Sequence, residues 1–305
     1  MFRKIFPASI VAAAIAVSMS VPTAQAATPQ DAAPPHIQVT WIGGPTTIME
    51  FNGLKILTDP TLGEGVEAFT MGDPNEMFDL KKGPTIKAFQ RLTRFPGIDL
   101  KSIDLVVLSH AHEDHFDQTA QAQLDRVVPM IVPVADAGKI KALGFKNVNG
   151  LKWGATRRFN AGRGQVTITA INAHHTENQQ MEKLLGVGNG YWLEFSQGDW
   201  RRTIYWTGDS FPTADVIKAV KRLGKLDILI PHVGGVGTTG PLGQISMGAD
   251  QIAVLAAALS PEKVLPIHHS TYSLYIEPIS RLREKSAGSR YRLDLIPEGT
   301  SVKYD

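Results

Sequence analysis

The chain has no cysteine in 305 residues. That excludes disulfides as a source of stability, and it excludes any zinc site built on thiolates. A bound metal would have to be held by imidazole or carboxylate. Histidine is scarce as well, nine in the whole chain, and the formal charge is only +2. Nothing in that charge balance suggests a nucleic-acid partner. No internal repeat and no Pro/Gly/Ser-rich linker divides residues 36–305, so they read as one domain, long enough to bury a substantial core.

The one extended apolar run lies at the start. Arg3 and Lys4 form a short basic head, Ile10 to Val21 is mostly Ala, Val and Ile, and Ala24-Gln25-Ala26 has the small-x-small form of a cleavage site. Residues 1–26 read as a secretory signal peptide, too short to span comfortably as an anchor. The expected location is therefore exported, periplasmic or secreted. The basic head has no Arg-Arg pair, so the twin-arginine route is not indicated. Cleavage removes two cations and no acid, leaving a neutral chain. Residues 27–35, rich in Pro and Ala, read as a flexible leader. No later apolar segment is long enough to cross a bilayer.

What is present is concentrated. Leu105 to Asp117 reads LVVLSHAHEDHFD. It begins as a short buried-strand pattern and then places His110, His112, Glu113, Asp114, His115 and Asp117 within eight positions. On an extended backbone His110 and His112 point the same way, while Asp114 and His115 follow after the chain has had room to turn. The spacing suits two adjacent metal ions better than one. Three further strand ends carry similar chemistry: His174-His175 after the alternating run Gln165 to Ile171, Asp209 in Thr207-Gly208-Asp209-Ser210, and His268-His269 after Val264 to Ile267. Seven of the nine histidines fall in these clusters. Histidines scattered for solubility would not concentrate so.

Elsewhere, His36 to Ile42, Ile48 to Phe51 and Leu54 to Leu57 read as strands, the last two joined at Asn52-Gly53. Thr61 to Asp99 is a long insertion, either an excursion with an amphipathic helix near Thr85 to Leu92 or a lid over the site. Thr176 to Gly190 reads as loop, and Tyr291 to Val302 reads as a closing strand segment. Hairpins early and alternating strands and helices later predict an α/β layered domain with mixed sheets.

The run His110-Ala111-His112-Glu113-Asp114-His115 resembles the signature of the metallo-β-lactamase-fold hydrolases. The resemblance implies an αββα sandwich of two mixed β-sheets flanked by helices, with the site at one edge where strands end. It also implies roles. His110, His112 and one histidine of the 174–175 pair would hold a first metal; Asp114, His115 and His268 would hold a second; Asp209 would bridge them. Relatives often read Ala-x-His and Pro-x-His at the doublets, which selects His175 and His268, although spacing alone leaves His174 and His269 open. Asp114 is the candidate catalytic residue as well as a ligand. The implied cofactors are two divalent ions, Zn²⁺ by default with Mn²⁺ or Fe²⁺ as alternatives, and the implied chemistry is attack by an activated hydroxide on a small-molecule substrate. An aspartate at position 209 and the segments Asp227 to Pro231, Gly234-Gly235 and Pro266-Ile267-His268 look like the branch that includes ascorbate-6-phosphate lactonase and N-acyl phosphatidylethanolamine phospholipase D relatives. That favours an ester-like bond, in a lactone, phosphodiester or thioester. The alternatives are an exported β-lactamase and a non-catalytic metal-binding domain. Some relatives carry Gly-His where this chain has Gly43-Gly44, and often an apolar residue where it has His232, which reads either as a satisfied histidine at a strand end or, from its loop position, as a substrate contact. Oligomeric state and substrate are not legible.

Overall fold

A computed structural model describes residues 34–305. The signal-peptide reading of 1–26 and nearly all of the 27–35 leader lie outside the described residues. The first half of the domain contributes β1 (Ile37–Gly43), β2 (Thr46–Phe51), β3 (Leu54–Thr58), β4 (Phe69–Gly72), β5 (Ile86–Phe89), β6 (Leu105–Val107), α1 (Gln118–Gln123), β7 (Met130–Pro133), α2 (Ala137–Ala142) and β8 (Val148–Leu151). The second half contributes β9 (Thr156–Ala161), β10 (Gly164–Ala173), α3 (Gln179–Leu185), β11 (Gly188–Gln197), β12 (Trp200–Trp206), α4 (Ala214–Lys221), β13 (Ile228–Ile230), α5 (Ala249–Leu259), β14 (Lys263–Val264), α6 (Ile279–Lys285), β15 (Arg292–Leu293) and β16 (Ser301–Tyr304).

Apart from β4 and β5, which pair in a two-stranded sheet of their own, these strands form two seven-stranded mixed sheets, ordered β16-β1-β2-β3-β6-β7-β8 and β15-β14-β13-β12-β11-β10-β9. Side-chain alternation explains their stacking. Ile37, Val39 and Trp41 of β1, Leu105 and Val107 of β6, and Val166, Ile168 and Ala170 of β10 share one core between the sheets. The opposite faces are covered by helices. Val106, Met130 and Val132 pack with Ala120 of α1 and Ile140 of α2. Tyr205, Leu229 and Val264 pack with Val216 of α4, Ile252 of α5 and Leu282 of α6. The domain is the expected αββα sandwich. Among the described residues no helix is long and apolar enough to cross a membrane.

Three local expectations fail for physical reasons. Residues 85–92 do not form a helix: β5 pairs antiparallel with β4, and Phe69 stacks on Phe89 with ring centroids 5.3 Å apart. The 176–190 stretch contains the helix α3, capped by the Asn178 side chain, which accepts from Gln180 N at 2.9 Å. The closing segment is two short strands rather than one, with β15 at the edge of one sheet and β16 at the edge of the other. The insertion 61–99 is pinned to the domain through buried Arg91, which donates to Ile42 O at 2.8 Å and pairs with Glu298 at 2.6 Å.

Candidate metal centre

Four strand ends converge at one edge of the sandwich. β6 runs out at Ser109-His110, and the chain then turns. His112 O accepts from His115 N at 3.0 Å and from Phe116 N at 2.9 Å. That turn splits the histidine motif between two places. His110, His112 and His175 each offer a donor atom within 4.8 Å of the others, and Asp114, His115, Asp209 and His268 do the same. The two nests touch, since the His110 and His115 ring centroids are 4.0 Å apart. All seven residues expected from the sequence are thus brought together.

The doublets separate cleanly. His174 turns outward, ion-paired with Glu182 and with Asp215 at 2.9 Å. His269 lies against the Trp41 ring, centroids 4.6 Å apart. Gly43-Gly44 also gains a reason. Gly44 has φ +52°, and a Cβ there would sit 2.7 Å from the Tyr272 ring, so no histidine fits. Gly208 (φ +57°) is needed for the same reason: a Cβ would meet that of Ser109 at 2.7 Å and push Asp209 out of the nest.

The hydrogen bonds fix which ring nitrogens are bare. His268 Nδ1 lies 2.8 Å from Val233 O, and His112 Nε2 lies 3.1 Å from Leu185 O. A carbonyl only accepts, so these nitrogens carry the proton, leaving His268 Nε2 and His112 Nδ1 free. His115 Nδ1 donates to Asp59 Oδ2 at 2.7 Å. Ser109 donates through N (2.7 Å) and Oγ (2.5 Å) to the same carboxylate, so its Oγ accepts from His110 Nδ1 at 2.9 Å. His110 Nε2, His115 Nε2, His268 Nε2, both nitrogens of His175 and Asp209 Oδ1 are buried with no hydrogen-bonding partner among the described residues. Each orphan costs about 1–3 kcal/mol unless something else pairs it. A set of bare imidazole nitrogens facing carboxylates, with the rings of His110, His112, His115 and His268 each oriented by a hydrogen bond behind it, fits a divalent cation of the Zn²⁺ type.

Electrostatics divides the nests. Burial, reinforced by His115, His112 and His175, holds His110 well below its usual pKa, and burial pushes His175 down to about 3. In the other nest burial opposes ionisation, but the charges outweigh it. Asp209, Asp114 and Asp59 hold His115 well above the ordinary imidazole value. His268 and His115 hold Asp209 well below the carboxylate range.

Two residues escaped the sequence reading. Asp59 lies just past the end of β3, outside every histidine cluster in the sequence. It is fully buried with φ 34°, and it orients His115 directly and His110 through Ser109. The partners of its carboxylate are 50 and 56 positions away, so no local pattern exposes it. His232 is not a satisfied strand-end histidine. It is fully buried, its Nδ1 is 3.3 Å from Asp209 Oδ1, and its Nε2 has no partner among the described residues.

Comparison with known proteins places this geometry in a family. The family model described as "Beta-lactamase superfamily domain" matches residues 55–269, which include all seven clustered residues. The chain belongs to the beta-lactamase superfamily. It is similar to N-acyl-phosphatidylethanolamine-hydrolyzing phospholipase D 1 of Caenorhabditis elegans, 23% identical over 80% of this chain and 68% of that protein. A UPF0173 metal-dependent hydrolase of Pyrococcus furiosus is 25% identical over 67% of this chain and 83% of its own length. Among solved structures, an isothiocyanate hydrolase from Delia radicum gut bacteria superposes with a TM-score of 0.70 at 25% identity, covering 87% of this chain and 98% of that one.

Proposed function

We propose that this member of the superfamily is a metal-dependent hydrolase that holds two divalent cations and cleaves an ester-like bond in a small molecule. The observation that carries the reading is the pair of adjacent nests, where hydrogen bonds on the far sides of His110, His112, His115 and His268 leave their inner ring nitrogens bare, and where His175 has no partner on either nitrogen among the described residues. His110, His112 and His175 would hold one ion; Asp114, His115 and His268 would hold the other, with Asp209 in the same nest, its Oδ2 3.4 Å from His115 Nε2. Zinc is the default for a set this rich in imidazole, with Mn²⁺ and Fe²⁺ as alternatives. Bound there, such ions supply Lewis acidity and lower the pKa of water. The protein's own contribution is orientation and exclusion of bulk solvent. Asp59, Ser109 and Val233 O hold the rings in the ligating tautomer. Asp114 and Asp209 remain ionised when buried, so they offer negative charge to a cation and a place for a proton.

A second reading takes its support from the isothiocyanate hydrolase that superposes on this chain. Isothiocyanate hydrolysis also begins with water adding to an electrophilic, uncharged carbon, so one site chemistry serves both. The test is to strip the purified protein with a chelator, reload it with Zn²⁺, Mn²⁺ or Fe²⁺, count bound metal, and assay a lactone, a thioester, a bis-aryl phosphodiester, an isothiocyanate and a β-lactam. Chelator-sensitive turnover of one of the first four, restored by metal, is expected. Two equivalents of metal with no turnover of any class would favour a binding domain instead.

A further inference from the structure

A cavity of about 340 Å³ opens beside His112 and Glu113. Its walls come from three separate stretches: Met71, Phe78 and Leu80 from the 61–99 insertion, Leu185 at the end of α3, and Leu242 and Ile245 from the loop before α5. Asn75 ties two of these stretches together. Its side chain accepts from Gly237 N at 2.7 Å and donates to Leu274 O at 2.9 Å, and its carbonyl accepts from Thr239 Oγ1 at 2.6 Å. The third wall is fastened to the metal centre by the contact between His112 and Leu185 O. The pocket is therefore built, not a gap between loose loops.

Its chemistry is one-sided. Among the described residues no lysine or arginine lines it, and its ionisable residues are His112 and Glu113. Glu113 faces Lys139 across 3.5 Å. An anionic group entering here would find no counter-charge and would lose its hydration. A volume near 340 Å³ is at the small end of the range for small-molecule sites, about 300–1,000 Å³. A hollow of about 350 Å³ near Trp153 and Val187 is lined by none of the clustered side chains.

We infer that the cavity beside His112 is the subsite for an uncharged alkyl or aryl group of the substrate, held next to the bond that is broken. The inference rests on the hydrolase reading and narrows it: neutral lactones, thioesters or isothiocyanates with a compact apolar tail are preferred, and phosphodiesters with charge on the tail side are disfavoured. The 61–99 insertion then supplies specificity, with Met71 and Phe78 as its contact residues.

The test uses the full chain loaded with metal and two readouts. The first is kcat/KM across γ-lactones and alkyl isothiocyanates of increasing tail length, with tails ending in methyl or in carboxylate. Each added methylene should raise kcat/KM up to about fourfold until the pocket is full, and a terminal carboxylate should remove the gain. The second is calorimetric titration of 4-phenylbutan-1-ol into metal-free protein, which reports the pocket without any turnover. Leu242→Asp should flatten the length series and abolish the titration. Leu184→Asp, on a wall residue already 61% exposed, gives the same comparison without risk to the fold. A flat series together with no binding of the alcohol overturns the pocket while leaving the hydrolase standing. Binding of the alcohol with no turnover of any class overturns the hydrolase reading and, with it, the assignment of the pocket to substrate.

Discussion

Replacing Asp59 by asparagine should separate the metal centre from the fold. One carboxylate takes Ser109 N on Oδ1 and both Ser109 Oγ and His115 Nδ1 on Oδ2. Asparagine keeps the shape, and its Oδ1 still accepts from Ser109 N. Its Nδ2 would then face His115 Nδ1 donor to donor. Relief requires His115 to move its proton to Nε2, the buried atom otherwise free to hold a cation. Ser109 Oγ, now accepting from the amide, also ceases to compel the His110 tautomer. Loss of a group that orients a ligand costs about 10–100-fold in metal affinity, which is about 1.4–2.7 kcal/mol. Stability of the metal-free protein should change by less than that, because the hydrogen-bond count is nearly kept. Asp59→Ala differs: it strands Ser109 N and His115 Nδ1 at about 1–3 kcal/mol each, a large share of a stability of about 5–15 kcal/mol. The assay is competitive titration with a chromogenic chelator, paired with urea unfolding of chelated samples. An Asp59→Asn protein that binds both ions with unchanged affinity would refute the tautomer argument.

Asp209→Asn, which removes the carboxylate beside His115 and His232, should lower metal content and turnover by more than the ~100-fold ceiling for a merely orienting residue; metal analysis and single-turnover assays check this. His232→Leu should leave the chelated protein as stable or slightly more stable, since a buried unpaired nitrogen is replaced by an apolar group. It should also weaken metal binding about tenfold by freeing Asp209; unchanged metal affinity would make His232 a packing residue. The metal-free protein should lose stability as pH falls from about 6.5 toward 4. His175 and His232 are held down to about 3 by burial, so in that window the unfolded chain binds protons that the folded chain refuses. The loss is up to about 1.4 kcal/mol per pH unit for each residue, read as a falling urea midpoint; a midpoint that rises through this window would contradict the buried-neutral assignment.

The fold was legible where periodicity and turn chemistry were strong. The hairpin at Asn52-Gly53 and the alternating β10 lie where the pattern puts them, because each strand's inward face had to be apolar to join the central core. The helix expected at 85–92 is absent because Ile86 to Phe89 takes its structure from pairing with Phe69 to Gly72, a partner outside any local window. Within the site, the choice between His174 and His175 was undecidable from spacing. β10 ends at Ala173, and beyond a strand end side-chain alternation no longer holds.

The chain's own order of residues determined the ligand chemistry. With cysteine absent and histidine gathered at strand ends, only imidazole and carboxylate were available to a metal, and a signature run of six residues was enough to indicate the αββα family. The tertiary structure decided which of two adjacent histidines faces inward, which ring nitrogen carries the proton, and that Asp59 and His232 stand at the centre at all. Those outcomes depend on atoms brought together across as many as 73 positions of sequence, by sheets whose register is set through packing of the whole core and not by any local pattern.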